Sequence, residues 1–167
     1  MSLRRLARSD LAAFQAYRHD PEVGRWQGWQ PQTDAQATAF LDEMATCALF
    51  EPGCWTQLAI ADDLTDQLIG DIGIHISDDA TEAEFGFTLA RTAQGRGLAS
   101  AAVREAIQRV FAETPVQRIH AQTDARNTAC LRLLERLDAV HLARIETEFR
   151  GEPCVEHRYE LARRGAR

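Results

Sequence analysis

Two glycines one residue apart, Gly95 and Gly97, stand between a run that alternates like a strand, Glu84 to Leu89, and a run spaced like a helix, Leu98 to Glu113. A strand that feeds a helix through a glycine turn lets backbone come close to a ligand. The first amides of that helix have no partner within it. Unpaired N–H groups and the positive end of the helix dipole together make an anion site, for which a diphosphate is the natural occupant. The competing reading is an ordinary turn. The stretch is not the dinucleotide fingerprint, since no third glycine follows and no acidic residue ends a second strand at the required distance. Nor is it a P-loop, because no Gly-Lys-Ser/Thr follows.

A chain of 167 residues suits one domain with a single core. No apolar run approaches the length of a membrane span, and Met1 to Arg8 lacks a signal-peptide hydrophobic segment, so a cytoplasmic location is expected. Cys47, Cys54, Cys130 and Cys154 form no Cys-x-x-Cys and no zinc-finger spacing, so disulfides and a structural metal are not expected. The net charge of −6 argues against a nucleic-acid surface. It suits a cationic amine substrate, and equally well serves solubility alone.

The order of elements follows from periodicity. Ser9-Asp10 starts a helix with Leu11, Phe14 and Tyr17 on one face, ending before Pro21. A loop from Val23 to Pro31 carries Trp26 and Trp29. A second helix is predicted from Thr33-Asp34 to about Leu49. Strands are predicted over Trp55–Ala61, Leu68–Ile76 and Glu82–Leu89, joined by short polar turns and therefore antiparallel. In the second of these, Leu68, Gly70, Ile72, Ile74 and Ile76 share a face. The helix after the glycine turn ends before Pro115, and Arg118 to Thr123 is the next strand, so the strand–helix–strand unit makes a parallel pair. Asn127 caps a helix with Cys130, Leu133, Leu134 and Leu137 facing inward. Strands over about Ala139–Phe149 and Cys154–Leu161 flank a hairpin at Arg150-Gly151-Glu152, and Arg163 to Arg167 are expected to fray. The result is an α/β (α+β) fold, one domain over residues 1–167, with a mixed sheet of about six to seven strands and helices on both faces.

The hexamer Gln94-Gly95-Arg96-Gly97-Leu98-Ala99 resembles the Q/R-x-x-G-x-G/A signature of the GCN5-related N-acetyltransferases, with Gln94, Gly97 and Ala99 at its defined positions. Asn127 through Leu137 is similar to the N-x-A-S-x-R-v-L-E-K-L segment of that family's RimJ/RimL-like branch, which acetylates ribosomal proteins. Asp20-Pro21-Glu22-Val23 is similar to the branch's D-P-E-V turn. Together with the element order, the resemblance spans nearly the whole chain. It implies acetyl-coenzyme A as cosubstrate and no metal. The coenzyme would lie where the fourth and fifth strands part, beside Glu84–Leu89 and Arg118–Thr123. Backbone groups of Phe87, Thr88 and Leu89 would pair with the pantetheine arm, and amides from Gly95 through Leu98 to Ala99 would hold the diphosphate. Arg96 would add charge there, or simply be solvated. Asn127 would bond the pantetheine, cap its helix, or do both.

Acetyl transfer needs a thioester and a neutral amine held in attack geometry, a base for the amine and a donor for the carbonyl oxygen. Glu84 is the first candidate base; its alternative is a solvated strand glutamate. Glu82 shares its face and is assigned to acceptor binding, and Asp71 and His75 are weaker options as base. Trp26 and Trp29 lie where the family shapes its acceptor pocket. They could form an apolar wall, stack on a cation, anchor the core or make a dimer contact. Two departures stand out. Leu134 occupies the position where many members carry a tyrosine that protonates the leaving thiolate. Cys130 replaces a serine; its thiol is a weak donor that could serve the same end, or a small buried apolar group. Asp138-Ala139 replaces the branch's Gly-Phe. Three readings stay open: an acetyl-coenzyme A-dependent N-acetyltransferase acting on a primary amine (a protein N-terminus, an aminoglycoside, a polyamine or an amino acid), a non-catalytic acyl-coenzyme A-binding module, and a dimerisation domain.

Overall fold

The computed structural model describes residues 1–163. Strand β1 (Ser2–Arg5) opens the chain and pairs antiparallel with β2 (Trp55–Ala61). Sequence periodicity did not predict β1, because four residues are too short to show alternation. It is an edge strand carrying two arginines, and such charges keep an edge from pairing with other chains. Arg4 is fixed on the same edge by Asp10 and Asp66, each 2.8 Å away.

Helix α1 (Leu11–Arg18) presents Phe14 and Tyr17 to the core. A single turn, α2 (Pro21–Gly24), follows. The Asp20 side chain accepts from the Glu22 amide and Pro21 takes the first helical position, where its missing N–H costs nothing. Helix α3 (Asp34–Thr46) begins with a capping box between Thr33 and Gln36. It ends short of the expected Leu49, because the Arg5 guanidinium donates to the carbonyls of Met44 (3.4 Å) and Cys47 (2.7 Å) and closes the helix there.

Strands β2, β3 (Leu68–Ile76) and β4 (Glu82–Leu89) have the bounds that alternation predicts. One face assignment needs correction. A register shift after Ile60 pairs Ala61 with Leu68 and makes Ile69 the extra residue of a bulge. A bulge breaks the period of two. Leu68 therefore packs with Phe14, Tyr17 and Leu41, opposite the face that holds Ile72, Ile74 and Ile76.

Helix α4 (Leu98–Glu113), β5 (Arg118–Asp124) and α5 (Thr128–Arg136) complete the crossover unit. Asn127 caps α5 through its side chain, which accepts from the Cys130 amide at 3.2 Å. At the other end, the Ala139 amide bonds to the Leu134 carbonyl and the Asp138 amide to that of Glu135. This is the Schellman pattern, with Asp138 at φ +58° in the role glycine usually fills. The Asp138-Ala139 replacement leaves the end of this helix open in the sequence, and the structure closes it with Leu137 as C-cap.

Strands β6 (Val140–Phe149) and β7 (Glu152–Ala162) form the final hairpin. Arg163, expected to fray, is instead held by its guanidinium, which donates to the carbonyls of Phe111, Thr114 and Val116. Residues 164–167 lie outside the described residues.

The seven strands form one mixed sheet in the order β1-β2-β3-β4-β5-β7-β6. One face carries Ile72, Ile74, Phe85 and Ile119 against α4 and α5. The other carries Ala59 against α1 and α3. The β4–β5 pair is parallel and only three rungs long: Glu82 with Arg118, Ala83 with Ile119, Glu84 with His120. Beyond that rung the two strands separate.

Gly70 tests how tightly β3 and β4 meet. A Cβ there would come within 2.3 Å of the Thr88 carbonyl oxygen, which is backbone and cannot swing away. Gly70→Ala should lower stability by about 1–3 kcal/mol, the usual cost of overpacking, read as a lower urea midpoint with unchanged m-value.

Candidate active site

The parting of β4 from β5 decides which backbone groups are free. The Ser77 amide bonds to the Glu82 carbonyl, and the Ala90 amide to that of Ile69, at either end of the β3–β4 ladder. Hydrogen-bonded pairs alternate in an antiparallel ladder. With the observed register, Thr88 is a bonded partner of Asp71, while the peptide groups of Phe85, Phe87 and Leu89 point away from β3, into the gap where β5 has left. The expectation for the pantetheine strand is therefore corrected in one member. Phe87 and Leu89 offer backbone to the gap; the Thr88 peptide is engaged by β3.

Two glutamines reach into this edge. Gln27 donates its amide nitrogen to the Phe87 carbonyl, and Gln94 donates to the Leu89 carbonyl, both at 2.9 Å. Gln94 thus ties the glycine turn to the end of β4 through its side chain. Gly95 and Gly97 both have positive φ, +74° and +76°. The first amide of α4 to bond back is Ala101, to the Gly97 carbonyl at 3.2 Å. Among the described residues, the Gly95, Arg96 and Gly97 amides have no protein acceptor, and a Cβ built on either glycine meets nothing within 4 Å. The turn is an open concave run of N–H groups beside the strand gap, with Arg96 exposed next to it.

On the α1–α3 face, a cavity of about 620 Å³ lies between the sheet and the loop that follows α2. Its floor is Asp71, 1% exposed. The Asp71 carboxylate accepts from the Tyr17 hydroxyl, from Gln57, and from Arg18 Nη2 at 3.0 Å to each oxygen. Burial first, then the adjacent Asp71 charge, push the Tyr17 hydroxyl well above its ordinary range, so it stays a donor. Arg18 is sandwiched in turn, with its guanidinium 4.6 Å from the Phe14 ring and 4.4 Å from the Trp29 ring. Asp71 is an anchor with its acceptor sites filled, which removes it as a base.

Trp29 lines this cavity and donates to the Thr88 hydroxyl at 3.2 Å. Trp26 does not line it; its ring lies between the guanidinium groups of Arg25 and Arg126 at 4.7 and 5.4 Å. The loop bearing both is clasped from the β6–β7 hairpin, where Arg150 donates to the carbonyls of Gly24, Gln27 and Trp29.

Glu84 is exposed and has no hydrogen-bond partner among the described residues. It stands in a cross-sheet row of Trp55, His75, Glu84, His120 and Glu160, with a histidine on either side. Glu82, by contrast, is engaged: Arg118 lies 2.9 Å and His120 Nε2 3.3 Å from its carboxylate. That pairing draws it away from the acceptor role assigned to it. His120 Nδ1 is buried without a partner.

Cys130 is half-buried on α5, and burial pushes its thiol up, against a smaller opposing effect of a hydrogen bond with Thr123. Leu134 is fully buried in the core. The tyrosine position of the family is therefore a packing position here.

The match to known proteins agrees with this geometry. Residues 1–140 fit the model of the acetyltransferase (GNAT) domain. The uncharacterized N-acetyltransferase p20 of Bacillus licheniformis is 30% identical over 138 residues, covering 82% of this chain and 77% of that protein. In fold, the chain resembles a GNAT-family acetyltransferase from Bacillus anthracis, at 19% identity and a TM-score of 0.82 over 96% of this chain and 93% of that one. It also resembles the spermidine N-acetyltransferase from Vibrio cholerae solved with CoA and spermine, at 19% identity and a TM-score of 0.82 over 96% and 94%. The chain belongs to the GNAT acetyltransferase domain family and is an N-acetyltransferase.

The raised thiol makes a prediction. Because the thiolate is the reactive form, iodoacetamide at pH 8 should alkylate the exposed Cys54 more than about tenfold faster than Cys130, as read by peptide mass spectrometry. Comparable rates would mean that the Cys130 thiol is not held protonated.

Proposed function

We propose that this chain transfers the acetyl group of acetyl-coenzyme A to a primary amine by direct attack in a ternary complex. The observation that carries the reading is the gap between β4 and β5, which leaves the N–H groups of Phe87 and Leu89 open beside the amides of Gly95 to Ala99. The residues present suit the coenzyme. The turn amides and the α4 terminus would hold its diphosphate, and each amide bond to a charged oxygen is worth about 1.5–3 kcal/mol. The Phe87 and Leu89 N–H groups would take the pantetheine arm and the thioester oxygen. The Asn127 amide nitrogen, which has no protein partner among the described residues while its oxygen caps α5, would take a pantetheine carbonyl. When bound, acetyl-coenzyme A supplies the activated acyl group.

Glu84 takes the proton that the amine must lose before it attacks. It is unpaired, exposed, and one position along its strand face from Gly86, which lines the cavity. The Cys130 thiol, neutral at physiological pH, is the candidate to return a proton to the leaving sulfur. The segments Asp20–Val23 and Asn127–Leu137 support placement in the RimJ/RimL-like branch, whose acceptors include protein N-termini.

Two variants separate binding from chemistry. Glu84→Gln should reduce kcat by about 10²-fold or more and leave the coenzyme Kd nearly unchanged in calorimetry. Unaltered turnover would move the role to water or to His75. Gly97→Val forces a β-branched residue into left-handed backbone. It should weaken coenzyme binding by more than about tenfold, since each tenfold is about 1.4 kcal/mol. Wild-type protein that binds the coenzyme but releases no thiol with any amine would instead be a binding module.

A further inference from the structure

The cavity beside Glu84 carries information about the acceptor, and the inference drawn from it rests on the acetyltransferase reading. Its lining contains a single carboxylate, Asp71. That carboxylate is buried and already accepts from Tyr17, Arg18 and Gln57. The other charged residue in the lining is a cation, Arg18. Arg18 is 8% exposed, its Nε is buried without a partner, and only its Nη2 meets a protein acceptor. The lining is therefore neutral overall and offers no free carboxylate.

A polyamine or an aminoglycoside brings two or more ammonium groups. Within this cavity none of them would find a free carboxylate, because Asp71 is already paired with Arg18, and a desolvated ammonium left without a partner discriminates against such a ligand. Arg18 already covers the Phe14 and Trp29 rings, so those two faces are closed to a second cation. What the walls do offer is uncharged surface. Phe40, Phe87 and the half-exposed Trp55 supply apolar area, and glutamines supply neutral hydrogen-bonding groups. The free carboxylate closest along the sheet face is Glu84, next to Gly86. One carboxylate matches one ammonium.

We propose that the acceptor is a monoamine with an uncharged aromatic or apolar body, its nitrogen at Glu84 and its body in this cavity. The same chemistry is presented by a free arylalkylamine and by a peptide whose first residue is aromatic.

The test follows free-thiol release by the full chain with acetyl-coenzyme A and phenethylamine, phenylalanyl-glycinamide or spermidine. Phenethylamine or the peptide should exceed spermidine in kcat/KM by more than about tenfold, and the better of the two identifies the source. Spermidine at parity or above overturns the proposal. A second variant tests the wall itself. Gln36 lines the cavity and closes the capping box with Thr33, a role glutamate fills equally well. Gln36→Glu therefore keeps the fold and adds a carboxylate to the lining. It should lower the KM for spermidine several-fold more than that for the aromatic amine; a ratio of the two KM values equal to wild type overturns the argument from charge. Calorimetry with coenzyme A on the same samples separates the two levels. Coenzyme binding with none of the three amines acetylated rejects this acceptor class alone. Absent coenzyme binding rejects the acetyl-coenzyme A reading and this one together.

Discussion

The site exists because two parallel strands stop bonding after three rungs. A parallel ladder normally satisfies every inward peptide group, and a buried group without a partner carries a penalty. Past Glu84 and His120, β4 keeps its bonds to β3 on one side and loses them on the other. The peptide groups of Phe87 and Leu89 are the consequence. Their carbonyls are met by the side chains of Gln27 and Gln94, which leaves the N–H groups as the unfilled half of the edge. An edge that is half satisfied by its own side chains can persist without a ligand and still bond to one.

Asp71 holds the opposite face to the same strands. It is the β3 partner of Thr88, so a single position joins the floor of the cavity to the strand that borders the β4–β5 gap. Its carboxylate binds α1 through Tyr17 and Arg18, and β2 through Gln57. Desolvating such a pair costs several kcal/mol unless the remaining hydrogen-bonding capacity is filled. Here the carboxylate is filled, so the cavity floor has no acceptor charge left to offer a ligand.

Much of this was legible from residue order, for physical reasons. Strands β2, β3 and β4 and helix α4 announce themselves through clean alternation or helical spacing bounded by glycine, proline and aspartate. The glycine turn was readable because left-handed backbone narrows the choice of residue, and Gly95 and Gly97 both adopt it. The Asn127 cap was readable because a short polar side chain before an apolar helix has one cheap use. What escaped was long-range. Nothing local distinguishes Arg18, at the end of a helix, from a solvated arginine until Asp71, 53 positions on, is placed beneath it. The engagement of Glu82 by Arg118 and His120, and the clasp of Arg150 on the Gly24–Trp29 loop, depend equally on which strands become neighbours. The bulge at Ile69 was hidden because an apolar residue on both faces of a buried strand gives no sign of which one is extra.

Sharing a fold with a spermidine acetyltransferase therefore says little about what this chain acetylates. The proposed coenzyme half of the site is made of backbone, and the fold that carries it is shared at 19% identity. The proposed acceptor half is made of side chains, where one buried ion pair leaves the lining neutral. On the proposed reading the two halves answer to different constraints: strand register would fix where the thioester lies, and the pairing of Asp71 would fix which amine can approach it.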